Sequence, residues 1–186
     1  MVPQSRVVKR RLGLRTAIWL GGGDRRFMHI RNFRSGDELA LHAVFYSAVH
    51  QVASQYYTAE QINAWAPPAF DAAAWTVRMR EIRPFVVENA GELVAYADVQ
   101  PSGYIDHFFV SGASARQGIG TRLMEHIHET AYQQKMTLLT ANVSRSAQAF
   151  FERFGFVVVE YRTPMTRGVV VPNALMKKEL SPDESS

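Results

Sequence analysis

Two neighbouring stretches of this chain carry residue types that do chemistry. The first is Ala115-Arg116-Gln117-Gly118-Ile119-Gly120-Thr121, which reads as a loop running into a helix. Glycines at positions 118 and 120 let the main chain approach an anion closely. The unpaired N–H groups of the first helical turn, with about half a positive charge from the helix dipole, then point at it. That is phosphate-binding chemistry, although the same glycines also serve simply to turn a chain into a helix. The loop is not a dinucleotide fingerprint, because Leu123 stands where G-x-G-x-x-G needs its third glycine, and it lacks the Gly-Lys-Ser/Thr of a Walker loop.

The second stretch is Tyr104-Ile105-Asp106-His107. Asp106 offers a carboxylate that could accept a proton, and Tyr104 a hydroxyl; the competing reading of Asp106 is a hairpin acid paired with a nearby cation. On a regular strand His107 points to the face opposite Asp106, which makes it a packed histidine rather than a base. The chain has no cysteine, so disulfides, thiolate-bound zinc, iron–sulfur clusters and thiol nucleophiles are excluded. His126 and His128 stand two apart on a helix and cannot share a ligand, and no metal is expected.

These residues need elements to position them. Met28 to Phe33 alternates apolar and polar as a half-buried strand does. Leu41, Val44, Phe45, Ala48 and Val49 follow helical spacing after Asp37 and Glu38. Thr58 and Gln61 form a capping box for a short helix that stops at Pro67, and Asp71 opens another that closes before Pro84. Three consecutive antiparallel strands are expected over 85–88, 93–99 and 104–110. The glycine loop then feeds a helix striped by Ile119, Leu123, Ile127 and Ala131. After a strand at 136–143, Ser144 is expected to cap a helix carrying Ala147, Phe150, Phe151 and Phe154 and ended by Gly155, before two last strands at 156–161 and 169–176.

The 186 residues suit one domain, and 47% hydrophobic with 20% charged residues is an ordinary globular composition. Of the net charge of +4, residues 1–27 hold seven cations against Asp24 alone, a net of +6, so the remainder carries −2. A slightly acidic body with a basic arm is no basic-faced nucleic-acid domain; the arm itself could bind phosphate backbones non-specifically. Residues 1–27 show no periodicity and are expected to be a disordered extension or sequence upstream of a natural start at Met28. Residues 28–180 form the domain and 181–186 a polar tail. The apolar run Ala17 to Leu20 is too short for a membrane span or a signal-peptide core, and a cytoplasmic location is expected.

The order strand, Arg-Gln-Gly-Ile-Gly-Thr, helix, strand, Ser-x-x-Ala-x-x-Phe-Phe-Glu-Arg-Phe-Gly-Phe resembles the GNAT superfamily of acetyl-coenzyme A-dependent N-acetyltransferases over residues 28–180. The segment from Tyr57 to Pro67 is similar to a bacterial branch of small acetyltransferases. The resemblance implies an α+β domain of the GNAT fold, a mixed and mostly antiparallel sheet of about seven strands with helices on both faces. It implies acetyl-CoA as cosubstrate, its pyrophosphate held by main-chain amides of the loop Ala115, Arg116, Gln117, Gly118, Ile119, Gly120 and Thr121. Its pantetheine arm would pair with Phe108, Phe109 and Val110.

This chain departs from the family in three places: Ala115 replaces a usual Gln or Arg, Ser144 a usual Asn, and Phe151 a Tyr that protonates the leaving thiolate. Without that donor, Tyr104 or water serves, or no acid is needed, since a thiol of pKa about 8.5 already leaves readily. Some relatives carry a catalytic carboxylate where Asp106 stands. A base is wanted, because neutralising an ammonium of pKa about 10.4 at pH 7 costs about 4.6 kcal/mol. Tyr56, Tyr57 and Trp65 fall in the segment that covers the acceptor in the family.

The implied activity is transfer of acetyl to a primary amine, of a small molecule or a peptide, by direct attack in a ternary complex, with a homodimer as one possible assembly. A catalytically silent acyl-CoA-binding module is the alternative that Phe151 and Ala115 favour, and a nucleic-acid-associated protein using the basic arm is a third class.

Overall fold

The computed structural model describes residues 28–181; residues 1–27 and 182–186, with the expectations placed on them, lie outside. In chain order the elements are β1 (Met28–Asn32), α1 (Glu38–Ser47), α2 (Ala59–Trp65), α3 (Ala72–Ile82), β2 (Phe85–Asn89), β3 (Glu92–Ala97), β4 (Tyr104–Ile105) and β5 (Phe108–Val110). There follow α4 (Ile119–Gln133), β6 (Leu138–Ser144), α5 (Gln148–Arg153), β7 (Val157–Arg162), β8 (Met165–Thr166), β9 (Val169–Val170) and β10 (Asn173–Glu179). The strands form two four-stranded sheets, ordered β1-β2-β3-β5 and β4-β6-β10-β7, and a small β8–β9 hairpin. Pairing is antiparallel throughout except between β4 and β6. Taking β4 and β5 as one interrupted strand leaves seven principal strands, as expected.

Local chemistry explains the starts of α2 and α3. Thr58 and Gln61 make both hydrogen bonds of the capping box, and the Asp71 carboxylate accepts from the amides of Ala73 and Ala74. Alternation along the strands sends side chains into two cores. Val86 and Tyr96 face Leu41, Val44 and Met79 of α1 and α3, whereas Val87, Ala95 and Ala97 face Leu123, Met124 and Ile127 of α4. Helices therefore cover both faces of the first sheet. No described helix is long and apolar enough to cross a membrane.

Three expectations change. Residues 104–110 are not one strand: β4 pairs with β6 and β5 with β3, with Asp106 and His107 in the break. Ser144 caps no helix; it ends β6 and shares a hydrogen bond with Ser146 Oγ, while α5 starts at Gln148 without a side-chain cap. The last strand divides into β9 and β10 around Pro172, which has no N–H to give a ladder. Gly103 makes the β4–β6 pairing possible. It has φ +81°, its carbonyl accepts from Thr140, and a Cβ there would stand 2.0 Å from the Leu138 carbonyl oxygen.

Beneath β1 a half-buried ion network ties the first strand to α1. Arg31 forks onto Asp37 at 2.8 and 2.9 Å and reaches Glu88 at 2.9 Å; Glu38 receives Arg80 at 2.8 Å and the Gly36 amide at 2.6 Å. Burial works to raise the Asp37 pKa, but the Arg31 guanidinium and the Arg34 amide outweigh it and hold it low. Arg31 lowers that of Glu88, and the main-chain amide of Glu38 together with Arg80 lowers that of Glu38. Carboxyls depressed in the folded state contribute stability that is complete above their ordinary range and is lost as pH falls through it. Urea midpoints should thus drop steeply below pH about 4.5, the ordinary value for Glu, and Arg31→Met should flatten that acid limb. An equally steep limb in the variant would show that other groups set it.

Candidate active site

The two sheets part at Asp106 and His107, and the site is built around that parting. Beyond it β5 pairs only with β3, and Asn142 to Ser144 of β6 pair only with β10, so each strand keeps one hydrogen-bonding edge free among the described residues. An extended chain bearing amide groups fits such an edge. The ring of Phe108 lies 5.4 and 5.5 Å from those of Phe150 and Phe151, giving the floor an apolar lining.

At the far end of β5 the chain makes a short turn at Gly112–Ser114 and enters α4 through Gly118, whose φ of +80° is left-handed. Gly118 has no side chain to cap the helix, so the first-turn amides of Ile119, Gly120 and Thr121 have neither a cap nor an intrahelical acceptor. A Cβ on Gly118 would meet nothing within 4 Å; one on Gly120 would touch Phe150 at 3.4 Å and Val110 at 3.7 Å. The loop at Gly118 hence borders open space. Arg116 and Gln117 are exposed, Ala115 is half-buried, and the Gln117 amide folds back onto the Ala113 carbonyl at 3.1 Å. Ser47 of α1 anchors the loop: its hydroxyl accepts from the Gly112 amide at 3.0 Å and lies 3.2 Å from Ser111 Oγ. Nothing in the sequence pattern marked Ser47, because its role depends on a contact 65 residues away.

The titratable groups meet at the break. Because the strand is interrupted, His107 does not turn away from Asp106: its Nε2 lies 3.3 Å from Asp106 Oδ2, correcting the expectation of opposite faces. The Arg78 guanidinium, on α3, donates to the same carboxylate oxygen. His107 and then Arg78 hold the Asp106 pKa down to about 2 against the effect of burial. Tyr104 accepts from Asn142 Nδ2 at 3.1 Å, and Asn142 Oδ1 accepts from Arg162 at 3.2 Å; burial, then the nearby Asp106 charge, raises the Tyr104 pKa. Nothing in the sequence pattern marks Arg78, Asn142 or Arg162, each an ordinary polar residue of its element.

The aromatic candidates divide. Tyr57 and Trp65 pack together at 5.6 Å beside Phe109, and Tyr57 is buried with its hydroxyl used twice, accepting from the Arg145 amide and donating to the Pro172 carbonyl. Tyr56 is exposed. Ser144 lies on the free edge of β6, and Phe151 is buried among Phe108, Phe150 and Phe156. No group of three or more described His, Asp or Glu side chains is placed to hold a metal.

Comparison with known proteins agrees with this layout. Residues 53–180 match the family model for the acetyltransferase (GNAT) domain. The chain is 31% identical over 157 residues to the uncharacterized N-acetyltransferase YafP of Escherichia coli (strain K12), covering 81% of this chain and 95% of that one. It superposes with a TM-score of 0.78 and 26% identity on a GCN5-related N-acetyltransferase from Rhodopseudomonas palustris, covering 82% and 95% of the two chains. With YncA of Salmonella typhimurium, solved with its cofactor acetyl-CoA, the TM-score is 0.58 at 20% identity, covering 86% and 96%.

Proposed function

The chain belongs to the acetyltransferase (GNAT) family, and from that premise we propose that it moves an acetyl group from acetyl-CoA to a primary amine by direct attack in a ternary complex. The observation that carries the reading is the continuity of one free strand edge, on β5, with an uncapped helical first turn behind a left-handed glycine. Pantetheine carries amide groups and the pyrophosphate is an anion, so the two halves of this surface match the two halves of the cosubstrate. The amides of Ile119, Gly120 and Thr121 would hold the pyrophosphate, and the edge of Phe108 to Val110 the pantetheine arm. That would bring the thioester, an acyl donor with a thiolate leaving group, to the parting of the sheets. YncA, solved with acetyl-CoA, shares the fold. Titrating acetyl-CoA into the protein by calorimetry tests the assignment: saturable binding with CoA as a competitor is expected, and no detectable heat would remove it.

Asp106 is the group that meets the amine. A carboxylate held near pKa 2 stays charged at neutral pH, draws an ammonium in, and compensates the positive charge that grows on the attacking nitrogen. Its weakened basicity means the proton passes on to water rather than resting on it. Tyr104, which accepts from Asn142 and feels the Asp106 charge, is the candidate donor to the leaving sulfur.

Phe151 bears on the same step. At 3% exposure it offers no room for a phenol oxygen in contact with solvent, so Phe151→Tyr should lower stability by about 1–3 kcal/mol, the cost of a hydroxyl buried without a partner. Coenzyme A affinity should not change. A variant of undiminished stability and higher turnover would mean that the ring edge reaches the sulfur and that a donor is missing in the natural chain.

A further inference from the structure

Tyr96 and Asp98 stand two apart at the end of β3 and are 0% and 1% exposed. A carboxyl buried this far needs partners, and the partners of Asp98 are specific. Its Oδ1 accepts from the amides of His107 at 2.6 Å and Asp106 at 3.2 Å, its Oδ2 accepts from Gln100, and its own amide donates to the His107 carbonyl at 3.1 Å. The two amides it collects are those of the residues that interrupt the strand. Neither continues the ladder of its sheet, so without Asp98 both would lack a partner beside a buried core.

Tyr96 acts on the side chain. Its hydroxyl lies 3.0 Å from His107 Nδ1. The Asp106 carboxylate beside Nε2 can only accept, so in the neutral imidazole Nδ1 is the acceptor and the Tyr96 hydroxyl donates to it. The imidazole proton is thereby left on Nε2, 3.3 Å from Asp106 Oδ2, where it can donate to the carboxylate.

We propose that Asp98 and Tyr96 are positioning residues of the transfer reaction: Asp98 clamps the main-chain break at Asp106 and His107, and Tyr96 fixes His107 as the Nε2–H tautomer that orients the Asp106 carboxylate. Neither touches substrate. The proposal rests on the reading that acyl transfer takes place at Asp106, while its geometric half stands apart from that reading.

The test uses the full chain and the variants Tyr96→Phe, Asp98→Asn and Asp98→Ala. Imidazole nitrogen NMR shifts of His107 in mildly alkaline buffer, coenzyme A affinity, and kcat with acetyl-CoA and an amine are measured for each. In the natural chain His107 should be the Nε2–H tautomer. In Tyr96→Phe it should become a mixture, with kcat down about 10- to 10²-fold, the cost of a misplaced reacting group, and coenzyme A affinity within about twofold.

Asp98→Asn keeps an acceptor oxygen and should retain most of the turnover that Asp98→Ala loses. Should Asp98→Ala fail to fold, Tyr96→Phe and Asp98→Asn still decide the matter. An unchanged tautomer or an unchanged kcat in Tyr96→Phe overturns the proposal, as does equal turnover in Asp98→Asn and Asp98→Ala. A natural chain that shows the tautomer shift on Tyr96→Phe but transfers no acetyl group would support the clamp and overturn the assigned reaction instead.

Discussion

Gly118→Glu should abolish coenzyme A binding in a protein that still folds. A Cβ at this position meets no protein atom within 4 Å, and the left-handed φ of +80° costs a non-glycine residue about 1–2 kcal/mol, which a domain of this size survives. What the glutamate does meet is the space in front of the first-turn amides, where it brings a negative charge to an anion site and can itself accept their hydrogen bonds. Gly120→Glu should remove binding as well, and its Cβ stands in ordinary van der Waals contact with Phe150 at 3.4 Å and Val110 at 3.7 Å. Calorimetry on each variant, beside its thermal unfolding curve, separates the two effects. A folded Gly118→Glu protein with the affinity of the natural chain would show that the anion is held elsewhere.

Asp106→Asn should lower turnover by about 10²-fold, the low end of the 10²- to 10⁴-fold typical of positioned acid–base groups. The low end follows from Arg78 and His107, which hold the carboxyl near pKa 2: a carboxylate so stabilised is a strong electrostatic partner and a weak base. The amide keeps the size and most of the hydrogen bonds, so the substitution isolates the charge, and coenzyme A affinity should stay the same. Raising the pH should restore part of the loss, because the amine then arrives neutral and needs less help to shed its proton. Turnover unaffected by the substitution between pH 6 and 9 would return Asp106 to the role of a structural partner for Arg78.

Whatever depends on neighbours in sequence could be read directly. The capping box at Thr58 and Gln61, the cap at Asp71, the stripe of Ile119, Leu123, Ile127 and Ala131, and the glycine entry to α4 all follow from spacing within one or two turns, and all stand in the structure. The break between β4 and β5 could not be read in this way. Residues 104–110 have the composition of a continuous strand; the interruption is held by Asp98 through amides eight and nine residues further on, a bond that no periodicity records. The one available signal was an acid closing the apolar run Val94-Ala95-Tyr96-Ala97, where a strand turning to solvent and a strand holding a buried acceptor look alike. For the same reason strand alternation alone turns His107 away from Asp106, and Ser47, Arg78 and Asn142 carry no mark in the sequence. Tyr57 shows the converse: its residue type fits a pocket wall and a core anchor equally, and its hydroxyl ties the Arg145 amide to the Pro172 carbonyl, contacts that only the folded chain creates.

The central claim, that this site transfers acetyl to an amine, is tested most directly by a panel of primary amines, from polyamines and amino sugars to peptide N-termini, incubated with acetyl-CoA. Free thiol is followed over time and the acetylated product is identified by mass. At least one amine should release thiol well above the rate of hydrolysis, in step with formation of its acetamide, and Asp106→Asn should suppress both. Tight acetyl-CoA binding with no amine accelerating thiol release would contradict the claim and leave a protein that holds acyl-coenzyme A without using it.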